Sequence, residues 1–466
     1  MLPEVRQLST WSILAAVRED PDILRQSQKR RGLHVGIVDE AVNLDTEWRN
    51  RRTELAELQR QRNQIAQQIG KTKDKAKKAD LIRQSKELSA QVSKGEQQLS
   101  ELEQNRSDVL RSIANIVHDS VPDGMDETEA RPVKYIGTPK VWKNHVEQFR
   151  ESTYGMKADY EVVDEQAISH YDISEKTGLI DTTRAAKVAG ARFYYLIDDI
   201  VWLDLALALY ALDNITKQGF QLMMPPHMLN HAAYSGVIDI SAFEDSLYKL
   251  ENQDLYLIAT SEHPIAAQFM NEVLEIGELP LQIAGYSPCY RKEAGAHGKD
   301  TKGIFRVHQF SKVEMFVFCL PEDSWKWIDK MIAIEEAIWT PLGIPFRIVT
   351  LPSGDFSRVA AKTYDLELWM PSQGRYREFV SCSNCTDYQS YRLNTRYAET
   401  RGHPTKGFVH TLNYTVIATT RSITAILENN IQPDGRILIP KPLLTYLKPI
   451  ERAPDKYIIP AHMKKK

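Results

Sequence analysis

The sequence predicts an α+β chain: an N-terminal antiparallel two-helix coiled coil, followed by an antiparallel β-sheet flanked by helices. Three observations carry this. From Val38 to about Ile69 there is neither proline nor glycine, and apolar residues recur at Ala41, Leu44, Trp48, Leu55, Leu58, Ile65 and Ile69 in a three-four rhythm, with Arg51 and Arg62 as polar members of the seam. A second helix-forming stretch reaches about Ile113, with Leu81, Leu88, Leu102 and Val109 spaced by multiples of seven. Beyond a Pro/Gly-containing acidic stretch, VPDGMDETEARP, short apolar runs alternate with turn residues and helices occur singly, as in a sheet built through hairpins. The expected organisation is therefore a helical domain at 1–118, a linker at 119–135 and a sheet domain at 136–466.

Composition narrows the class. The chain has 466 residues, too many for one ordinary core, and 42% of them are apolar, as in soluble globular proteins. A net charge of −3 gives no global pull toward nucleic acid or membrane, so any such binding has to be local. Four cysteines, Cys289, Cys319, Cys382 and Cys385, are too few for a disulfide scaffold and suit a reducing compartment. The opening MLPEVRQLSTWSILAAVREDPD has early acids and no long apolar run, so it does not read as a secretory signal. The longest apolar stretch, IVWLDLALALYAL at 200–212, is interrupted by Asp204. The expected location is cytoplasmic, with no membrane partner.

Taken in order, the helical pair would project, because each helix has apolar face enough only for the other. Its tip, GKTKDKAKKAD, carries Lys71, Lys73, Lys75, Lys77 and Lys78 with Asp74 as the sole acid between them. Such a run is either a solvated turn or an arm that tracks phosphates and releases counterions. A helix at about 200–218 follows, ended by Gly219. Residues 283–291 and 304–318 are expected to be antiparallel strands joined by AGAHGKDTKG, a loop with Lys299 and Lys302. A period of two puts Arg306, His308, Phe310, Lys312 and Glu314 on one face, with Arg291 and Glu293 beside them. Ring, guanidinium and carboxylate on one surface suit a purine triphosphate, whereas a ladder of cross-strand ion pairs would have no ligand.

Two further clusters belong with it. In YDLELWMPSQGRYREFVSCSNCTD (364–387), Asp365, Glu367 and Glu378 are reasonable magnesium ligands next to a polyphosphate. The CxxC of Cys382 and Cys385 has no second ligand pair, so packing is the better reading than zinc. HTLNYTVIATTRSITAILENN (410–430) reads as a strand running into a helix with Arg421 in its first turn, a further anion site. No glycine fingerprint of a Rossmann unit or P-loop is present.

Together REDPDILRQSQKRRG, SVPDGMDE, GFQLMMPP, ATSEHP, YRKEAGAHGKDTKGIFRVHQFSKVE, REFVSCSNCTDYQSYRLN, VHTLN and RSITAILEN resemble the seryl-tRNA synthetase family, a class II aminoacyl-tRNA synthetase fold, over nearly the whole chain. The resemblance implies ATP and magnesium as cofactors, and L-serine and serine tRNA as partners, the latter gripped by its long variable arm. It also implies a homodimer with the 200–218 helix and Pro226 at the interface. Arg291 and Arg421 would be catalytic, holding the α- and γ-phosphates. Lys292, Glu293, Val307, Phe310, Glu378, Phe379, Val380 and Ser381 would complete the ATP site, with Glu378 and Ser381 near the metal. Thr260, Ser261, Glu262, Arg291, Glu314, Asn413 and Thr415 would enclose serine, and the tip lysines would bind tRNA. Selenocysteine tRNA is left open as a second acceptor.

Two residues depart from the family pattern. Tyr414 and Ile417 stand where smaller residues are usual. If the strand keeps its phase, Tyr414 faces away from Thr415, while Ile417 shares the face of Thr415 and narrows the hollow. These two residues are the foothold for an alternative: a synthetase-like paralogue that keeps the RNA-binding arm and has lost or altered charging.

Overall fold

The computed structural model describes residues 11–240, 244–293, 300, 302–460 and 463. They fall into two compact units, one ending at Ile116 and the other beginning at Val117.

In the first unit two short helices, Ile13–Glu19 and Pro21–Arg30, precede the long pair Gly36–Lys71 and Lys75–Ser112. The long helices are antiparallel neighbours joined by residues 72–74. Asp74 caps the second one, accepting from the backbone N–H of Ala76 and Lys77 at 2.8 and 3.1 Å. The lone acid of the tip thus starts a helix and leaves the lysines exposed. Seam residues Leu55, Leu81, Val92 and Leu110 are buried, while Leu44, Trp48, Leu58 and Leu88 are only half-buried, as expected of helices that cover each other alone. Gly95 fills the heptad position between Leu88 and Leu102, and a Cβ there would stand 3.1 Å from the Leu55 side chain. Arg51, expected in the seam, is exposed and pairs with Glu47 and Glu54 instead. The buried polar members are Asp45 and Arg106, joined at 2.6 Å, with Arg18 on the other Asp45 oxygen at 2.9 Å. The Arg18 and Arg106 hydrogen bonds outweigh burial and hold the Asp45 carboxyl below its ordinary range.

The second unit is built on an eight-stranded sheet: β1 Arg131–Ile136, β2 Gln221–Met223, β3 Leu281–Tyr290, β4 Gln309–Cys319, β5 Phe346–Thr350, β6 Lys362–Met370, β7 Arg375–Thr386 and β8 His410–Ala418. Spatial order is β1-β5-β6-β7-β8-β4-β3-β2. All pairings are antiparallel except β3 with the short edge strand β2. The stretch expected to be a linker, 119–135, therefore contributes most of β1, and Val117, Val121 and Ala130 pack with Val349, Leu351 and Phe356. One apolar cluster gathers Val313, Met315, Cys382 and Tyr414 with Trp339 and Leu207 from helices Ser324–Trp339 and Asp199–Thr216. A second holds Phe316 and Phe318 against Tyr234 and Ile265. The Asp199–Thr216 helix closes at Gly219, whose φ of +90° lets Phe220 N–H reach back to the Ile215 carbonyl.

The strand expected from 304 begins only at Gln309. Ile304, Phe305 and Val307 are all buried, and the His308 N–H donates to the Arg192 carbonyl at 3.2 Å rather than to a neighbouring strand. Arg306 and His308 thus precede the strand, and the alternation that was to place them holds only for Phe310, Lys312 and Glu314. Of the connecting loop, residues 294–299, with Lys299, and residue 301 lie outside the described residues. Asp300 is held by Arg377 at 2.6 and 3.0 Å, and Lys302 sits over the Tyr171 ring at 5.1 Å.

Candidate active site

Strands β4, β7 and β8, the segment that leaves β3 at Arg291, the turn before helix Glu262–Ala267 and the first turn of helix Thr419–Asn430 enclose a cavity of about 450 Å³. Its placement depends on two β-bulges. In β7, Ser381 pairs with Asp365 and Val380 with Leu366, but Glu378 pairs with Glu367, so Phe379 is an extra residue. Glu378 and Ser381, three apart and on opposite faces of a regular strand, both line the cavity as a result. In β8, Val313 pairs with Ile417 and Glu314 with Thr415, which makes Val416 the extra residue. The Val416 carbonyl accepts from the Trp339 indole at 3.1 Å.

This second bulge corrects one expectation. Ile417 does not share the face of Thr415: it turns into the core with Val313, while Thr415 lines the cavity, so Ile417 does not narrow the hollow. Tyr414, opposite Cys382, is fully buried in the same core and faces away from Thr415, as the phase of the strand requires. Its hydroxyl and Glu335 Oε2 have no hydrogen-bond partner among the described residues, and burial raises both groups well above their ordinary values.

At the closed end, Glu314 gathers donors from three elements. Its Oε1 accepts from the Lys312 ammonium at 2.5 Å and the Thr415 hydroxyl at 3.1 Å. Its Oε2 accepts from the Thr260 hydroxyl, the Ser261 hydroxyl at 2.9 Å and the Glu262 backbone N–H at 2.9 Å. Burial opposes ionisation, but the Lys312 charge and these hydrogen bonds win and keep Glu314 well below the carboxylate range. Glu262, nearby and bonded to Gln389 at 2.8 Å, goes the other way: burial, with the Glu314 charge adding to it, lifts it to about 7. His263, one residue on, is kept neutral by burial, which depresses it to about 3. Gly285 permits this closeness, because a Cβ there would lie 2.7 Å from the Ser261 hydroxyl.

At the open end the groups are cationic and aromatic. Arg291 lies 5.3 Å over the Phe310 ring and donates to the Ala259 carbonyl at 3.3 Å. Arg306 pairs with Glu293 at 3.3 Å. Arg421, in the first helical turn, pairs with Glu378 at 3.2 Å and stands 5.3 Å over Phe305. The Arg421 charge holds the Glu378 carboxyl low, whereas burial, with the Glu378 charge adding to it, raises Asp365 well above its ordinary value. The Glu378 carboxylate and Ser381 hydroxyl, with Asp365 Oδ1 buried and without a partner among the described residues, form an oxygen donor set suited to a hard divalent cation.

Of the residues singled out from sequence, Thr260, Glu262, Arg291, Glu293, Val307, Phe310, Glu314, Glu378, Phe379, Val380, Ser381, Asn413, Thr415 and Arg421 line this one cavity. Ser261 lies just behind it on Glu314. Lys292 does not join them: it is exposed and turned to the Tyr248 ring at 5.9 Å. Lys312 and Ser383 line the cavity and were given no role, although the two-residue spacing of Lys312 from Glu314, and of Ser383 from Ser381, marks both. Glu367 is tied to Arg347 at 2.5 Å and does not line the cavity. The four cysteines are free and buried, with Cys385 accepting from the Asn413 amide at 3.4 Å. Among the described residues no helix is long and apolar enough to cross a membrane.

Comparison with known proteins agrees with this geometry. Residues 14–117 match the profile described as seryl-tRNA synthetase N-terminal domain, and 246–430 that of the tRNA synthetase class II core domain (G, H, P, S and T). The serine–tRNA ligase of Archaeoglobus fulgidus is 58% identical over 97% of this chain and 99% of its own length. That of Hyperthermus butylicus is 48% identical over 97% and 98%. Among solved structures, seryl-tRNA synthetase from Pyrococcus horikoshii complexed with ATP superposes with a TM-score of 0.89 at 45% identity, covering 96% of this chain and 99% of that one. The cytoplasmic serine–tRNA ligase of Naegleria fowleri with AMP gives 0.81 at 36%, covering 97% and 99%.

Proposed function

The chain belongs to the seryl-tRNA synthetase family of class II aminoacyl-tRNA synthetases, and from that premise we propose how its residues perform the family's reaction. The activity is that of a serine–tRNA ligase: L-serine is activated by ATP to seryl-adenylate, and the seryl group passes to the 3′ end of serine tRNA. A carboxylate is already a nucleophile, so the first step needs positioning and charge stabilisation rather than a base. Thr260, Glu262, Glu314 and Thr415 hold serine at the closed end. Arg291 grips the α-phosphate, Phe310 stacks on adenine, and Glu293 accepts from its amino group. Arg421 takes the γ-phosphate from the positive end of its helix. Glu378 and Ser381 would hold magnesium, which neutralises phosphate charge when bound. The tip lysines bind the long variable arm of the tRNA, and the exposed stripe Val201, Leu205 and Leu209, continued by Leu222 and Met224, is the homodimer face.

The observation that carries this reading is one cavity with a buried hydroxyl-rich end on Glu314 and an arginine–phenylalanine end at Arg291 and Phe310. The paralogue reading loses its foothold, since Tyr414 and Ile417 both turn into the core. Serine-dependent exchange between ATP and pyrophosphate tests the function. Arg291→Ala should lower that exchange by roughly 10²–10³-fold, the usual loss for one oxyanion-stabilising donor. Exchange that is independent of serine would refute the assignment.

A further inference from the structure

We propose that Lys312 is a specificity-determining residue, its ammonium donating directly to the hydroxyl oxygen of the bound amino acid. This rests on the serine pocket described above. Lys312 is 4% exposed yet lines the cavity. Glu314, the obvious partner for a ligand hydroxyl, is already occupied: among the described residues five donors share its two oxygens, where a carboxylate offers about four lone-pair sites. Thr415 gives its one proton to Glu314 Oε1 and accepts from Lys312 Nζ at 3.4 Å. Among the described residues Lys312 therefore spends two of its three N–H bonds on Glu314 and Thr415, and one remains for a ligand. Glu314 and Thr415 aim the ammonium; the ammonium reads the hydroxyl.

The chemistry explains which amino acids are refused. Alanine would leave a charged N–H buried and unpaired, the costly direction of hydrogen-bond discrimination. A thiol is a weak acceptor and fills the same place poorly.

The test is amino-acid-dependent ATP–pyrophosphate exchange with serine and with alanine on the full chain. Lys312→Met should lower kcat/KM for serine by roughly 10- to 100-fold, the range of a charged hydrogen bond, and lower it for alanine by a smaller factor. The serine-over-alanine ratio then falls. Because Lys312→Met strands a buried carboxylate, two neutral pairs are compared beside it, Lys312→Met/Glu314→Gln and Lys312→Gln/Glu314→Gln. They differ only in whether position 312 keeps N–H donors, and the second should retain the higher ratio. Equal ratios in the two pairs, or equal losses for serine and alanine in Lys312→Met, would overturn the assignment and make Lys312 a structural prop. If the unsubstituted chain shows no serine-dependent exchange, the pocket reading itself fails; if it does and the ratios match, only the role of Lys312 fails.

Discussion

Two acids a few ångströms from one hydroxyl cluster are driven apart by their surroundings. Glu314 keeps its charge on Lys312, and Glu262, beside that charge and away from water, holds its proton up to about 7. An ionised Glu262 attracts the ammonium of an incoming amino acid, so KM for serine is expected to fall as pH rises from about 6 to about 8, and Glu262→Gln should flatten that profile. The linkage has the opposite sign for folding. Between 4.5 and 7 the folded chain keeps a proton that the unfolded chain has lost, so this group's contribution to stability declines as pH rises through that window. Urea unfolding of both chains across the window measures it. Tyr414 makes a different case. It is a large, fully buried ring on the far face of β8, so Tyr414→Ala should cost about 3–5 kcal/mol of stability by analogy with other aromatic truncations. KM for serine should stay within about twofold, because Thr415 is aimed by the bulge and by Glu314.

At the level of elements, the function proposed above gives RNA contact to the coiled-coil hairpin and adenylate chemistry to the sheet domain. Its tip presents five lysines on exposed positions around the Asp74 cap. Replacing all five with glutamine should spare serine-dependent exchange and raise KM for tRNA in the charging assay. The slope of log affinity against log salt should shrink by about 0.9 for each lysine that meets a duplex phosphate. A parallel fall in both steps would contradict this division of labour. The helices themselves were legible in the sequence because a seven-residue repeat leaves its mark on a lone pair. The Asp45–Arg106 pair was not, since two charged residues sixty-one positions apart carry no local signal of contact.

For the whole molecule, the helix Asp199–Thr216 buries one side in the sheet core and leaves Val201, Leu205 and Leu209 in solvent at 39%, 41% and 48% exposure. Residues four apart share one helix face, and Leu222 in the edge strand β2 and Met224 just after it are exposed as well. These exposed apolar residues are the face proposed above for a second chain. Leu205→Asp is expected to shift the protein from dimer to monomer in sedimentation equilibrium, with the far-UV circular dichroism preserved. A monomeric unsubstituted chain would rule out that use of the face.

The sequence by itself determined the order of the parts: a heptad hairpin, then a sheet whose strands carry arginine, phenylalanine and acids at two-residue spacing, with a strand running into the Arg421 helix. It named about half of the cavity's lining residues as well, through motifs that resemble a family. Tertiary structure alone decided which way several of them point. Periodicity assumes an uninterrupted pleat, and the extra residues Phe379 and Val416 each reverse it once, uniting Glu378 with Ser381 and parting Ile417 from Thr415. It also decided which charges survive burial, since that depends on the partners each acid meets: Thr260, Ser261 and Thr415 from distant segments beside the neighbouring Lys312 for Glu314, the distant Arg421 for Glu378, and none for Asp365 Oδ1 among the described residues.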